Sequence, residues 1–124
     1  MAITNTWITG TGYDGATDYP YFGPNSVVVD NCGNIVTVGS SVDTVEQSEL
    51  PTIIKYGKNG SMVWSYVLPI NYDPAGNFAY AVGTTVKVDA DDNIYCTILL
   101  YDPENNTSTD YFLLLKLNKY GVVQ

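Results

Sequence analysis

Apolar residues come along this chain in short runs, not at helical spacing. The first four runs are SVVVD (26–30), NIVTVGS (34–40), LPTIIKY (50–56) and SMVWSYVL (61–68). Four more follow in the same order: TTVKVD (84–89), NIYCTILLY (93–101), DYFLLLKLN (110–118) and GVVQ (121–124). Runs of this length, β-branched and aromatic in content and bounded by Gly, Asn, Asp and Pro, read as β-strands. Each set predicts a four-stranded antiparallel meander, with strands A to D.

The second set is a copy of the first. Trp7 matches Trp64 at an offset of 57, and Tyr13 and Asp14 match Tyr72 and Asp73 at 59. Asp30 matches Asp89 and Asn34-Ile35 matches Asn93-Ile94 at 59, while Lys55 and Gly60 match Lys116 and Gly121 at 61. The offset grows between anchors, which places the length changes in loops. A period near sixty residues with strand content marks a repeat architecture.

Turn chemistry supports the pairing. DNCGN and DADDN place a tight hairpin between A and B in each copy. Gly33 is expected at a positive φ there, and Asp92 takes its place in the second copy, which Asp tolerates better than most residues. Between C and D, Gly60 and Gly121 hold equivalent turn positions. The A–B and C–D hairpins thus share one edge of each sheet. The B–C loops (40–50 and 101–110) and D–A loops (9–25 and 69–83) leave from the opposite edge and are longer. Strands such as IVTV and FLLLKL are apolar on both faces, so one sheet cannot bury itself. With each Leu or Ile worth roughly 1.5–3 kcal/mol when buried, the pattern favours sheets stacked side by side.

At this level of detail, VVVDNCGNIVTVGS…KYGKNGSMVW and VKVDADDNIYCTIL…KLNKYGVVQ are similar to the seven-bladed β-propeller repeat of the SBBP type. The resemblance covers nearly the whole chain; each motif alone is weak, and their order and repetition carry the match. It departs from the pattern at Asp92, at Leu99-Leu100 where a glycine often ends strand B, and at the short ending KLNKYGVVQ. The resemblance implies an all-β fold of two four-stranded antiparallel propeller blades belonging to a larger closed propeller. Residues 1–25 would be an N-terminal, ring-closing strand and loop, 26–68 blade 1, 69–83 an inter-blade loop, and 84–124 blade 2 with an incomplete strand D. The family spacing puts a tryptophan just after Gln124, so the chain reads as the start of a longer polypeptide. The other reading is a two-blade protomer that closes a ring by oligomerising.

Charge and composition exclude more than they select. Thirteen carboxylates against five lysines, with no arginine or histidine, give a formal net charge of −8. A nucleic-acid partner needs a basic stripe, and an anionic membrane surface would repel this chain. Lack of histidine removes Ser-His-Asp and Cys-His hydrolases. Two cysteines at non-equivalent places, Cys32 and Cys96, make neither a disulfide framework nor a zinc site and read as free thiols. No segment resembles a secretory signal or a membrane span. The sequence asks for no cofactor and no metal: DADDN starts like a calcium loop, but the twelfth position is Leu100.

Repetition assigns Trp7 and Trp64 to packing between blades, and Asp30 and Asp89 to turns whose backbone N–H groups they accept. The candidate binding residues are Tyr13, Asp14, Tyr72, Asp73, Tyr101 and Asp102, on the longer-loop edge. Tyr19, Tyr21, Phe22, Asp43 and Asp110 share that edge. Aromatic platforms beside carboxylates suit sugars, which offer an apolar face and hydroxyl rims. Packing of the loops on themselves is the simpler reading of the same pairs. Function is expected to be non-enzymatic: a structural and recognition module such as a bacteriophage tail fibre or tail adaptor in the virion, contacting neighbouring subunits or a host glycan. The alternatives are a small oligomeric propeller lectin, or a polysaccharide-degrading enzyme that uses paired carboxylates.

Overall fold

A computed structural model describes residues 21–43, 48–69, 80–101 and 111–124, and these form two antiparallel sheets with no helix. Strands β1 (Tyr21–Val29), β2 (Ile35–Asp43), β3 (Ser48–Tyr56) and β4 (Met62–Val67) pair in chain order as the first sheet. Strands β5 (Tyr80–Val88), β6 (Ile94–Tyr101) and β7 (Tyr111–Leu117) pair in chain order as the second. The fold is therefore all-β, as the strand pattern predicts. Strand D of the second copy, expected to be incomplete, is present as a single bridge between Leu117 and Val123. It follows a tight turn in which Asn118 N donates to Val122 O at 2.8 Å, and Gln124 N donates to Lys116 O at 3.0 Å.

The strands are also longer than their apolar runs. β1 and β5 begin at Tyr21 and Tyr80, and β2 and β3 run to Asp43 and from Ser48, so the expected loops 9–25, 69–83 and 40–50 are shorter. A bulge explains the early starts. Register shifts between Pro24 and Ser26 in β1, and between Gly83 and Thr85 in β5, which are equivalent places in the two copies. The extra residue, Asn25 or Thr84, lets the strand continue past a residue that would otherwise interrupt the ladder. Asn25 donates to Gly83 O at 2.8 Å, and Thr84 Oγ1 donates to Thr97 O at 3.2 Å.

Each sheet has two faces that alternate along its strands. The face of the first sheet bearing Val28, Val36, Val38, Ile53 and Lys55, here called its front, packs against the second sheet. The second sheet meets it with Val86, Ile94, Cys96, Ile98, Leu115 and Leu117. By the repeat alignment those residues correspond to Val27, Ile35, Thr37, Gly39, Ile54 and Tyr56, which lie on the other face of the first sheet. The seam is thus front against back. Strand β5 runs across β1, β2 and β3.

Close approach at this seam requires Gly83. A Cβ there would strike Val38 Cγ2 and come within 2.9 Å of Gly39 O. The obstacle includes backbone, so the sheets themselves would have to part. Gly83→Ala is therefore expected to cost about 1–3 kcal/mol, measured as a lower midpoint in urea unfolding. An unchanged midpoint would contradict the seam.

Candidate functional site

Three of the four short turns use one device. In the A–B turn, Asp30 Oδ1 accepts from Cys32 N at 3.0 Å and from Asn34 N at 2.8 Å. Asp89 Oδ1 does the same for Asp91 N and Asn93 N, both at 2.9 Å. Asn118 repeats it at the second C–D turn, accepting from Tyr120 N and Val122 N. At the first C–D turn Gly57 has no side chain, and Asn59 Oδ1 accepts from Ser61 N at 3.0 Å. The position that must turn left-handed carries φ values of 85° at Gly33, 83° at Gly60, 81° at Gly121 and 62° at Asp92.

Because the copies stack in register, their A–B turns meet across the seam. Asn31 N and Asn31 Nδ2 both donate to Asp92 Oδ1 at 2.8 Å, and Nδ2 also reaches Asp89 O at 2.8 Å. Cys32 Sγ donates to Asp92 Oδ2 at 3.5 Å. At the C–D end, Trp64 Nε1 donates to Lys119 O at 3.2 Å, and the indole ring lies against Gly121, where a Cβ would come within 2.8 Å of it. Lys55 binds both ends: its Nζ pairs with Asp30 Oδ2 at 2.8 Å and donates to Lys119 O at 3.3 Å. It is the one ion pair among the described residues, and both side chains are buried.

The second copy handles its lysine differently. Tyr95 stands where Val36 does in the first, and Lys116, the counterpart of Lys55, lies over the Tyr95 ring at 5.5 Å. Tyr95 OH in turn donates to Asp89 Oδ2 at 3.1 Å. A small residue at Val36 leaves room for the lysine to reach its aspartate, and the tyrosine ring fills that room.

Three carboxyls here bind protons more weakly than usual. Burial pushes Asp30 up, but hydrogen bonds from Lys55 and Asn34, with the lysine charge, outweigh it and hold the group below 3.8. Asp89 is held down chiefly by the Asn93 amide, and Asp92 chiefly by the Asn31 backbone N–H. Burial alone pushes the Cys96 thiol up to about 12, so it is an inert core residue, whereas Cys32 is exposed; both are free. Asp30, Cys32 and Asp92 place ligand atoms within 4.8 Å of one another. Asp30 already accepts from Lys55 and Asn34, and Asp92 from Asn31 and Cys32, so the group acts as a clamp between turns.

Of the binding residues named from the sequence, Tyr13, Asp14, Tyr72, Asp73 and Asp102 lie outside the described residues, as do Trp7, Tyr19 and Asp110. Tyr101 ends β6 opposite Tyr80, and Leu100 pairs with Tyr111, so three tyrosines hold strand-end positions in the second sheet. Tyr21, Phe22 and Asp43 hold strand positions on the first sheet. The structure adds Asn25, Ser26, Asn31, Lys55 and Gly83, which the sequence did not mark as contacts. Their one advance signal was the exchange of Gly33 for Asp92. No protein-family model matches the chain, and no curated protein matches its sequence. Among the described residues no helix is long and apolar enough to cross a membrane.

Two measurements test the clamp. Asp92→Gly relieves the left-handed strain, yet the thermal midpoint should fall, because the acceptor for Asn31 is lost; a higher midpoint would show that strain outweighs the clamp. Lys55→Met leaves a buried carboxylate without its counter-ion. It should cost about 3 kcal/mol, the low end for breaking a buried pair from one side, since Asn34 still holds Asp30. Acid dependence follows the lowered carboxyls: their stabilisation is complete above 3.8 and is lost as pH falls through their lower folded values. Lys55→Met should flatten that acid limb in denaturant titrations.

Proposed function

We propose that this chain is a non-enzymatic structural and recognition module of the β-propeller type, whose stacked blades form a rigid body that carries its long-loop edge to a partner. The observation that carries the reading is the front-to-back seam. Two homologous sheets pack front to back in register, with their A–B turns meeting, as consecutive blades of a radial array require. On the repeat pattern of the sequence, the long-loop edge would carry Tyr13, Asp14, Tyr72, Asp73, Tyr101 and Asp102. A virion tail fibre or tail adaptor is the setting we favour, with a neighbouring subunit or a host-surface glycan as the partner; the acidic, histidine-free composition is compatible with that setting. Fold analogy and composition support it.

A second reading, an oligomeric lectin, draws on the same seam, because a heterologous face is what closes a ring of protomers. Both readings put binding and not turnover at the long-loop edge. On an array of bacterial surface polysaccharides, the intact protein should bind without releasing reducing ends. Tyr72→Ala combined with Asp73→Ala should weaken binding at least about tenfold, the loss typical of an aromatic anchor. Reducing-end release that disappears in Asp14→Asn or Asp73→Asn would replace this reading with an enzymatic one.

A further inference from the structure

The two copies differ most along the outer flank of their third strands. In the first copy, β4 lies antiparallel beside β3, pairing Lys55 with Trp64, Ile54 with Ser65, Ile53 with Tyr66 and Thr52 with Val67. Leu68 N closes that ladder by donating to Pro51 O at 2.9 Å. In the second copy the counterpart of β3 is β7, and among the described residues only Val123 and Gln124 stand beside it. From Lys116 back to Phe112 the flank has no described neighbour.

The exposures mark this flank as open. Leu114 is 73% exposed and Phe112 71%, although both belong to a strand paired with β6. Thr97 lies on the same face, between Thr85 and Leu114, and its two flanking strands leave it only half-exposed. The direction of the main-chain groups follows from alternation along a strand. Lys116 O faces outward, because it accepts from Gln124 N at 3.0 Å, and Leu114 stands two residues away. The N–H and C=O of Leu114 therefore point outward as well, without a partner among the described residues.

We propose that the open flank of β7 binds an extended segment of another polypeptide as a fourth, antiparallel strand. The site uses none of the loop residues named above and does not depend on the blade reading. The first copy specifies the occupant. Trp64 and Tyr66 share a face with Lys55 and Ile53 and pack against the core, while Ser65 between them faces the other way. A segment spanning the equivalent of Trp64 to Leu68, with large apolar side chains at alternate positions, matches β7 from Lys116 to Phe112. Its side chains would cover Leu114 and Phe112, and its main chain would satisfy Leu114. An exposed apolar edge of this kind is a template for pairing with another chain.

The test uses the full chain and a fluorescently labelled peptide with the sequence of residues 62–69, MVWSYVLP. Adding protein should raise the peptide's anisotropy to saturation, and a scrambled peptide should not bind. Leu114→Pro removes the outward N–H and keeps the bonds to β6; Pro51, at the place of Phe112, shows the same strand of the first copy accepting proline. With its circular dichroism spectrum unchanged, this variant should bind at least about tenfold more weakly, the worth of one strong hydrogen bond. N-methylation of the peptide at its tyrosine, whose N–H faces the neighbouring strand, should do the same with the protein unaltered. Four results overturn the proposal: no saturable binding, equal binding of the scrambled peptide, binding that the N-methyl group leaves unchanged, or binding that Leu114→Pro leaves unchanged. The last is the mark of a peptide that displaces β4 from β3 and ignores β7.

Discussion

Strands that are apolar on both faces impose one requirement, and the structure is organised around meeting it. Val36, Val38 and Ile53 cannot be dried by their own sheet, and neither can Ile94, Cys96, Ile98, Leu115 and Leu117. Laying one sheet on the other removes both sets from water at once. At roughly 25 cal/mol per Å² of apolar area, this is the dominant favourable contribution available to a chain without disulfides. The hairpin turns, bulges and buried ion pair all serve to bring the two sheets together in register.

Polar chemistry then fixes the register that burial alone leaves loose. Apolar contact is non-directional, and two similar sheets could slide past one another by a residue pair at modest cost. Asn31 on Asp92, Asn25 on Gly83 O, and Trp64 on Lys119 O fix the two copies at both ends. Lys55 joins the A–B turn of one copy to the C–D turn of the next. A buried ion pair is weak support for stability in itself; here its two partners lie in different turns, so it is made only in this register.

Strand identity and order were legible in the sequence because period-two runs and turn residues are local signals. The left-handed position shared by Gly33 and Asp92 could be read for the same reason. Strand ends were not: Tyr21 and Tyr80 extend β1 and β5 because a bulge absorbs Pro24 and Gly83, and a bulge leaves no mark in hydrophobic periodicity. Strand D of the second copy was read as incomplete, and Val123 makes a single bridge to Leu117 there. The seam residues stayed hidden because they act between copies. Asn31 reads as turn filler until Asp92 is seen opposite it, and Gly83 as a flexible link until Val38 is found against it. Repetition foretold that the copies would stack, but not which face of each would meet.

The departure at Asp92 gives the two copies fixed places in line. A carboxylate in a left-handed turn is useful only to a preceding copy that offers an asparagine one residue after its own turn aspartate, and Asn31 supplies it. Exchanging the copies would bring Ala90 toward Gly33, and neither could hold the other. The chain's repeats are therefore not interchangeable modules: a polarity is written into their turns, so that the first copy can be followed by the second but not replaced by it.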